Sequence, residues 1–101
     1  MNLGHETETL EFKKTTGELK EGVVSIAAIL NKHQKGELYF GIKPDGTPIG
    51  QQISEKTLRD ISQEIANHIE PRIYPEIAVV HIDDKDCIHV RFEGHNTPYL
   101  S

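Results

Sequence analysis

The spacing of apolar residues changes twice in the first 43 residues, and this change constrains the fold more than any other feature. In residues 9–13, Leu10 and Phe12 alternate with polar residues, which predicts a short strand. Across residues 18–32 the apolar positions recur every three or four residues, which predicts an amphipathic helix. Alternation returns over residues 37–43, so we expect a second strand directly after the helix.

The second half of the chain predicts a helix followed by a hairpin. Ser54 is suited to cap the helix, and Pro71 ends it because proline disfavours helical backbone at the preceding residue. Residues 76–83 and 87–93 read as two strands around a short polar turn. In the last strand the residues of one face are Ile88, Val90 and Phe92, and those of the other are Cys87, His89 and Arg91.

These elements predict an α+β fold in which two helices pack on one mixed sheet, in the order β-α-β-(β)-α-β-β. The bracketed strand is the short segment 47–50, which Pro48 confines to a sheet edge or an irregular strand. With 101 residues the chain has the size of one domain, 1–101, and we expect it to be a fragment of a longer protein.

The charge, the cysteine content and the length of the apolar runs indicate which partners and which compartment to expect. The net charge of −5 argues against a generally cationic nucleic-acid coat. The first 50 residues carry six lysines against seven acids, while the rest carry five lysines and arginines against nine acids, so an anion-binding face is expected in the first half. The single cysteine, Cys87, excludes an internal disulfide and favours the cytoplasm. No apolar run has the roughly 20 residues of a membrane span, so no membrane partner is expected.

The glycine-rich stretch GELYFGIKPDGTPIG raises the question of a phosphate-binding loop. Gly41 and Gly46 have the spacing of such a loop, but Thr47 and Pro48 occupy the positions of the required lysine and hydroxyl residue. The pattern of a dinucleotide-binding turn is also absent. We therefore interpret these glycines, together with Gly36 after the first helix, as residues that shape turns.

Five segments together resemble the Schlafen/AlbA-like DNA-binding domain: ETETLEFK, AAILN, GELYFGIKPDGTPIG, ANHIEPRIYP and IHVRFEGHNTPY. That domain begins many bacterial and archaeal transcriptional regulators and RecG-like helicase-related proteins. The resemblance implies an α+β fold and a nucleic-acid partner, with DNA preferred. Lys35 departs from the family pattern, since it replaces the first of two glycines, and Lys43 stands where an acid is common.

The resemblance also implies candidate site residues for an alternative function. Glu6 and Glu11 correspond to two glutamates of the acidic triad with which nuclease members bind a divalent metal and cut RNA. Oxygen ligands of this kind hold hard cations such as Mg²⁺ or Mn²⁺. Lys43 takes the place of the third acid, and Asp45 can replace it only if the loop bends back. We therefore expect no catalysis and no cofactor unless these three acids meet.

For the preferred function, the candidate phosphate-binding residues are lysines near the ends of elements: Lys13, Lys14, Lys32, Lys35 and Lys43. We expect the tail of the first helix and the neighbouring hairpin to bring them into one positive pocket. Asn31 is interpreted as a structural residue that caps the first helix. Exposed sheet edges favour a homodimer, and a protein-interaction module is the third interpretation.

Overall fold

The computed structural model describes residues 1–101 and contains one four-stranded sheet and two helices. A short 3-10 turn, Thr16–Glu18, leads into the first helix. The elements in chain order are β1 (Leu10–Lys13), α1 (Leu19–His33), β2 (Lys35–Phe40), α2 (Glu55–His68), β3 (Glu76–Ile82) and β4 (Lys85–Glu93). The predicted α+β class and the order of elements are confirmed.

The strands lie in the order β1-β2-β4-β3, so β1 and β3 are the two edges. β1 and β2 are parallel, as the crossover through α1 requires, and the other two pairings are antiparallel. β1 and β2 therefore finish at the same end of the sheet, which we call the distal end. α1 and α2 each follow one of these strands and begin there. At the opposite, proximal end α1 finishes and β2 begins.

The main core lies between the helices and one face of the sheet. It contains 14 buried residues, including Ile26 and Leu30 from α1 and Ile61 and Ile65 from α2. Their three-and-four spacing faces the strands, where alternate residues such as Phe40 are fully buried. The apolar stripes that predicted the helices are therefore the surfaces that hold the two layers together.

The other face of the sheet has a second, smaller core of Phe12, Ile42 and Cys87. Cys87 lies on the same face as His89 and Arg91, as predicted, and its side chain has no exposed surface. The N-terminal segment and the loop after β2 cover this part of the sheet, since Leu3 packs against the second core and its backbone N–H donates to the Gly46 carbonyl at 2.9 Å.

The predicted hairpin after β2 is shorter than expected. β2 ends at Phe40 instead of residue 43 because Gly41 turns the chain with a φ of +94°, a conformation that favours glycine. The bracketed strand at 47–50 is reduced to a single bridge between Ile42 and Pro48. Proline lacks the N–H that a longer ladder would require.

The starts of the helices follow the capping rules, while the expected cap at Asn31 is wrong. Ser54 caps α2 by accepting from the Thr57 backbone N–H, and Thr15 caps the turn before α1. α1 continues past Asn31 to His33, and Gln34 takes the left-handed conformation that ends it, with φ of 65°.

Gly36 also has a role different from the one expected. It lies within β2 and does not stop the helix. A Cβ atom there would lie 2.6 Å from Cγ2 of Ile29 and 2.9 Å from the Thr9 carbonyl oxygen, so the glycine permits close packing of α1 and β1 on the strand.

Candidate nucleic-acid interface

The distal end of the sheet brings together strand ends and helix starts. The Lys13 carbonyl accepts hydrogen bonds from the backbone N–H groups of Gly41 at 2.8 Å and Ile42 at 3.1 Å, which joins the ends of β1 and β2. Gln51 links the loop before α2 to the start of α1: its side-chain oxygen accepts from the Thr16 N–H at 2.9 Å, and its nitrogen donates to the Thr16 hydroxyl at 3.0 Å. One surface thus includes the ends of two parallel strands and the beginnings of both helices.

Three of the five candidate lysines lie at this end, and we call Lys13, Lys14 and Lys43 the distal lysines. Lys13 forms an ion pair with Glu11, with 3.2 Å between Nζ and the carboxylate oxygen. Lys14 and Lys43 are exposed, and neither ammonium group has a carboxylate within 4 Å, although the backbone N–H of Lys14 donates to the Glu18 carboxylate at 3.0 Å. Both helices point their N-termini to the same end, where the helix dipole favours anions. In open α/β sheets ligands bind beyond the carboxyl ends of parallel strands.

The other two candidate lysines lie at the proximal end. Lys32 is in the last turn of α1, 3.6 Å from Glu8, and Lys35 begins β2. The six residues of β2 separate Lys35 from the distal end by about 20 Å at a rise of about 3.3 Å per residue. The expected single pocket is therefore not present, because α1 runs back along the sheet and carries its tail away from the loop after β2.

One group of acidic residues at the distal end lies towards the opposite edge of the sheet. The turn between β3 and β4 contains Asp83 and Asp84, followed by Asp86 at the start of β4. The N-terminal amino group forms an ion pair with Asp83. Because the strand order is β1-β2-β4-β3, the distal lysines occupy the β1–β2 side and these carboxylates the β4–β3 side. The β1–β2 side also carries carboxylates, since Glu11 pairs with Lys13, Glu18 accepts from the Lys14 N–H and Asp45 lies in the turn with Lys43. The distal end therefore has mixed charge.

The three acids of the alternative function are each engaged separately. Glu6 accepts a hydrogen bond from the Phe12 backbone N–H at 3.0 Å, on the outer edge of β1. Glu11 lies on the helix-facing side of β1, where it contacts Lys13 and accepts from the Ser25 hydroxyl at 3.3 Å. No three His, Cys, Asp or Glu side chains are grouped closely enough to hold a metal ion.

Asp45 shapes the turn after β2. Its carboxylate accepts from the Thr47 backbone N–H at 3.0 Å, and the Gly46 N–H donates to the Lys43 carbonyl at 2.9 Å. Hydrogen bonds from Thr47 lower the pKa of the Asp45 carboxyl below its usual value, and the charge of Lys43 contributes in the same direction. Asp45 therefore holds the turn that presents Lys43.

The face of the sheet opposite the helices is left uncovered in its proximal half, where there is a polar depression of about 830 Å³. Arg91 crosses it and donates to Glu76 at 2.6 Å, a bond that raises the pKa of the guanidinium above its usual value. Beside it, the rings of Tyr39 and His89 stack with centroids 4.5 Å apart, and His89 Nε2 lies 2.7 Å from Glu37. Arg91, the arginine of this depression, is therefore already engaged by a carboxylate.

Sequence reasoning missed Gln51, which joins the two helix starts. Gln51 lies in a loop, where no periodic spacing of apolar residues indicates its neighbours, and its partner Thr16 is 35 residues away in sequence.

Neither helix has the length and apolar character that a crossing of the bilayer would require.

The fold and the distal end define a class: a small α+β domain with two helices on one face of a mixed sheet and a lysine-bearing end at the helix starts. The family model of Schlafen, AlbA_2 matches residues 6–100. The chain therefore belongs to the Schlafen AlbA_2 family, as the sequence resemblance indicated. Among curated proteins, none matches the chain.

Solved structures show the same fold at low sequence identity. The crystal structure of the DIP2311 protein from Corynebacterium diphtheriae superposes with a TM-score of 0.71 and 15% identity over 92% of this chain. The solution structure of the N-terminal domain of a protein from Nitrosomonas europaea, named as related to the ATP-dependent DNA helicase RecG, gives 0.63 and 16% over 87%. This chain covers 19% of the first of those chains and 63% of the second.

Proposed function

We propose that this protein is a nucleic-acid-binding domain that contacts the phosphate backbone through its distal end. The observation that carries the proposal is the position of Lys14 and Lys43, two exposed lysines whose ammonium groups have no carboxylate within 4 Å, at the end of the sheet where both helices begin. Lysine ammonium groups and helix N-termini both favour anions. Family membership and the RecG-related neighbour support a nucleic-acid-linked role.

Binding of this kind positions the domain without reading sequence. Lysine contacts a phosphate as a point charge, and base recognition requires side chains that reach base edges. At the distal end the exposed cations come from strand ends and one turn, and no helix face rich in arginine or asparagine lies beside them. We therefore expect weak, salt-dependent affinity and little preference among sequences of equal length.

The narrower parts of the proposal follow the family resemblance. We propose DNA as the preferred nucleic acid, a host protein that is a transcriptional regulator or a RecG-like helicase-related protein, and a cytoplasmic location. We also propose that the domain is one part of a larger protein, since it covers 19% of one structural neighbour's chain and 63% of the other's. We also propose that it forms a homodimer, for which the β3 edge provides the surface described below.

Fluorescence anisotropy with labelled duplex DNA, single-stranded DNA and RNA of equal length tests the proposal. The Lys14→Ala/Lys43→Ala variant should bind at least about tenfold more weakly, equivalent to about 1.4 kcal/mol. The matched control, Lys32→Ala/Lys35→Ala, removes the same charge from the proximal end and should bind like the parent. Equal losses in both variants, or no binding by the parent, would overturn the proposal.

A metal-dependent ribonuclease is the alternative that the resemblance implies, and the geometry gives it less support. Each of the three carboxylates has a separate partner. Glu6 accepts from the Phe12 N–H at the edge of β1, Glu11 pairs with Lys13, and Asp45 accepts from the Thr47 N–H in the turn after β2. Magnesium-dependent RNA cleavage that disappears in a Glu11→Ala variant would establish this alternative. Absence of cleavage at high protein concentration would exclude it.

A further inference from the structure

The outer edge of β3 has no backbone partner. β3 is the last strand of the sheet, and none of the backbone hydrogen bonds outside the helices and ladders involves residues 76–82. The strand is seven residues long and contains no proline, glycine or lysine. Natural sheets usually protect such an edge with lysine, proline, a bulge or a covering segment. An unprotected edge of this length is therefore suited to pair with another strand.

The opposite edge of the sheet is closed by the chain itself. On β1, Thr7 and Leu10 form an antiparallel bridge, with 3.0 Å from the Thr7 N–H to the Leu10 carbonyl. The Glu6 carboxylate accepts from the next outward N–H, that of Phe12. Any strand added to this sheet must therefore join β3.

The hairpin geometry determines which backbone groups of β3 face outwards. The turn between β3 and β4 has two residues, Asp83 and Asp84, both with positive φ, which is typical of a tight two-residue connection. Such a turn makes Ile82 and Lys85 a hydrogen-bonded pair, and these pairs alternate along an antiparallel ladder. Ile82, Val80, Ala78 and Glu76 therefore bond to β4, while the residues between them present N–H and C=O groups outwards. Those outward residues are Ile77, Val79 and His81.

We propose that a second copy of this chain pairs with β3 in antiparallel orientation, with a two-fold axis at Val79. This arrangement places Val79 opposite the partner's Val79 and Ile77 opposite the partner's His81. The outward groups are distributed evenly about Val79, so the edge is complementary to itself under a two-fold rotation. Three hydrogen-bonded pairs supply about six backbone hydrogen bonds and join the sheets into one of eight strands.

The side chains of the edge suit a second copy. At the centre of the paired segment, the side chain of Val79 faces the partner's Val79 on the helix-facing side of the joined sheet. Val79 is 38% exposed in the monomer, so pairing can bury apolar surface there. Glu76, the one acidic residue of the strand, lies opposite the partner's Ile82, and His81 lies opposite the partner's Ile77, so no like charges are directly opposed within the paired segment. The proposal does not depend on nucleic-acid binding, because β3 is one edge of the sheet while the distal lysines lie on its β1–β2 side.

Sedimentation equilibrium without nucleic acid, over a wide range of protein concentration, tests this inference. The parent chain should form a dimer at high concentration. Val79→Lys places two lysines opposite each other and should weaken the dimer by at least about tenfold. Val24→Lys is the matched control, since Val24 is an exposed valine on α1, 59% exposed, and should leave the dimer unchanged.

Hydrogen exchange provides a second readout that does not depend on a substitution. At high concentration the amides of Ile77, Val79 and His81 should become protected, while those of Ala78 and Val80, already bonded to β4, should change little. A parent chain that stays monomeric, or a dimer that Val79→Lys does not weaken, overturns the inference. Neither result affects the proposed contacts of the distal lysines, which the binding titrations test separately.

Discussion

The side-chain amide of Asn31 makes a reciprocal pair of hydrogen bonds with the backbone of Tyr99, 68 residues later in the chain. Asn31 Nδ2 donates to the Tyr99 carbonyl at 2.8 Å, and the Tyr99 N–H donates to Asn31 Oδ1 at 2.6 Å. The Tyr99 ring is buried in the main core, and its hydroxyl accepts from the His95 N–H at 2.7 Å. Asn31 therefore holds the C-terminal segment against α1.

Replacement of Asn31 by alanine should lower the free energy of unfolding by about 1 to 2 kcal/mol, because two hydrogen bonds to backbone are lost. Urea denaturation measures the change. Asn67→Ala on α2 is the matched control, since Asn67 is exposed and makes no side-chain hydrogen bond, and it should be close to neutral. Equal stability of the Asn31 variant and the parent would show that the paired bonds contribute nothing.

Gly46 should tolerate no larger residue. Its φ is +89°, and an added Cβ would collide with the Gly4 carbonyl oxygen and lie 2.6 Å from Asn2 Oδ1. Gly46→Ala should therefore destabilise the protein by about 1 to 3 kcal/mol and loosen the N-terminal segment. Thermal melting measures the loss, with Gly17→Ala as the comparison, because Gly17 does not have left-handed backbone. An unchanged melting temperature in the Gly46 variant would contradict this role.

Cys87 should be nearly inert in the folded protein. Its thiol is fully buried beneath the loop after β2, and burial raises the pKa of the thiol above its usual value, so little thiolate forms near neutral pH. Alkylation in native buffer should be at least about a hundredfold slower than in denaturant, since the group reacts only after opening. Comparable rates in the two solutions would mean that the second core is open.

The secondary structure was predictable because it is a local property of the apolar pattern. The stripes of α1 and α2 and the alternation in β4 are visible along the chain, and the cap at Ser54 follows from the hydroxyl residue that precedes the second helical segment. The end of α1 was predicted to within one residue, but its cap was assigned to the wrong residue, because Gln34, which has no special turn preference, takes the left-handed conformation in place of Asn31.

The arrangement of the lysines was not predictable from local pattern. Lys32 and Lys35 are near Lys43 in sequence, but β2 runs between them from the proximal to the distal end of the sheet. Lys13, much farther away in sequence, is brought to the distal end because β1 and β2 are parallel. The burial of Cys87 was missed for a similar reason, because the covering residues Leu3 and Ile42 come from segments without regular structure.

The salt dependence of duplex DNA binding tests the central claim most directly. If Lys14 and Lys43 each neutralise one phosphate, the logarithm of the association constant should fall with the logarithm of salt concentration with a slope of about −1.8. The Lys14→Ala/Lys43→Ala variant should bring the slope close to zero, while Lys32→Ala/Lys35→Ala should leave it at about −1.8. Identical slopes for the parent and the distal variant, or a reduced slope only in the proximal variant, would contradict the assignment of phosphate binding to the distal end.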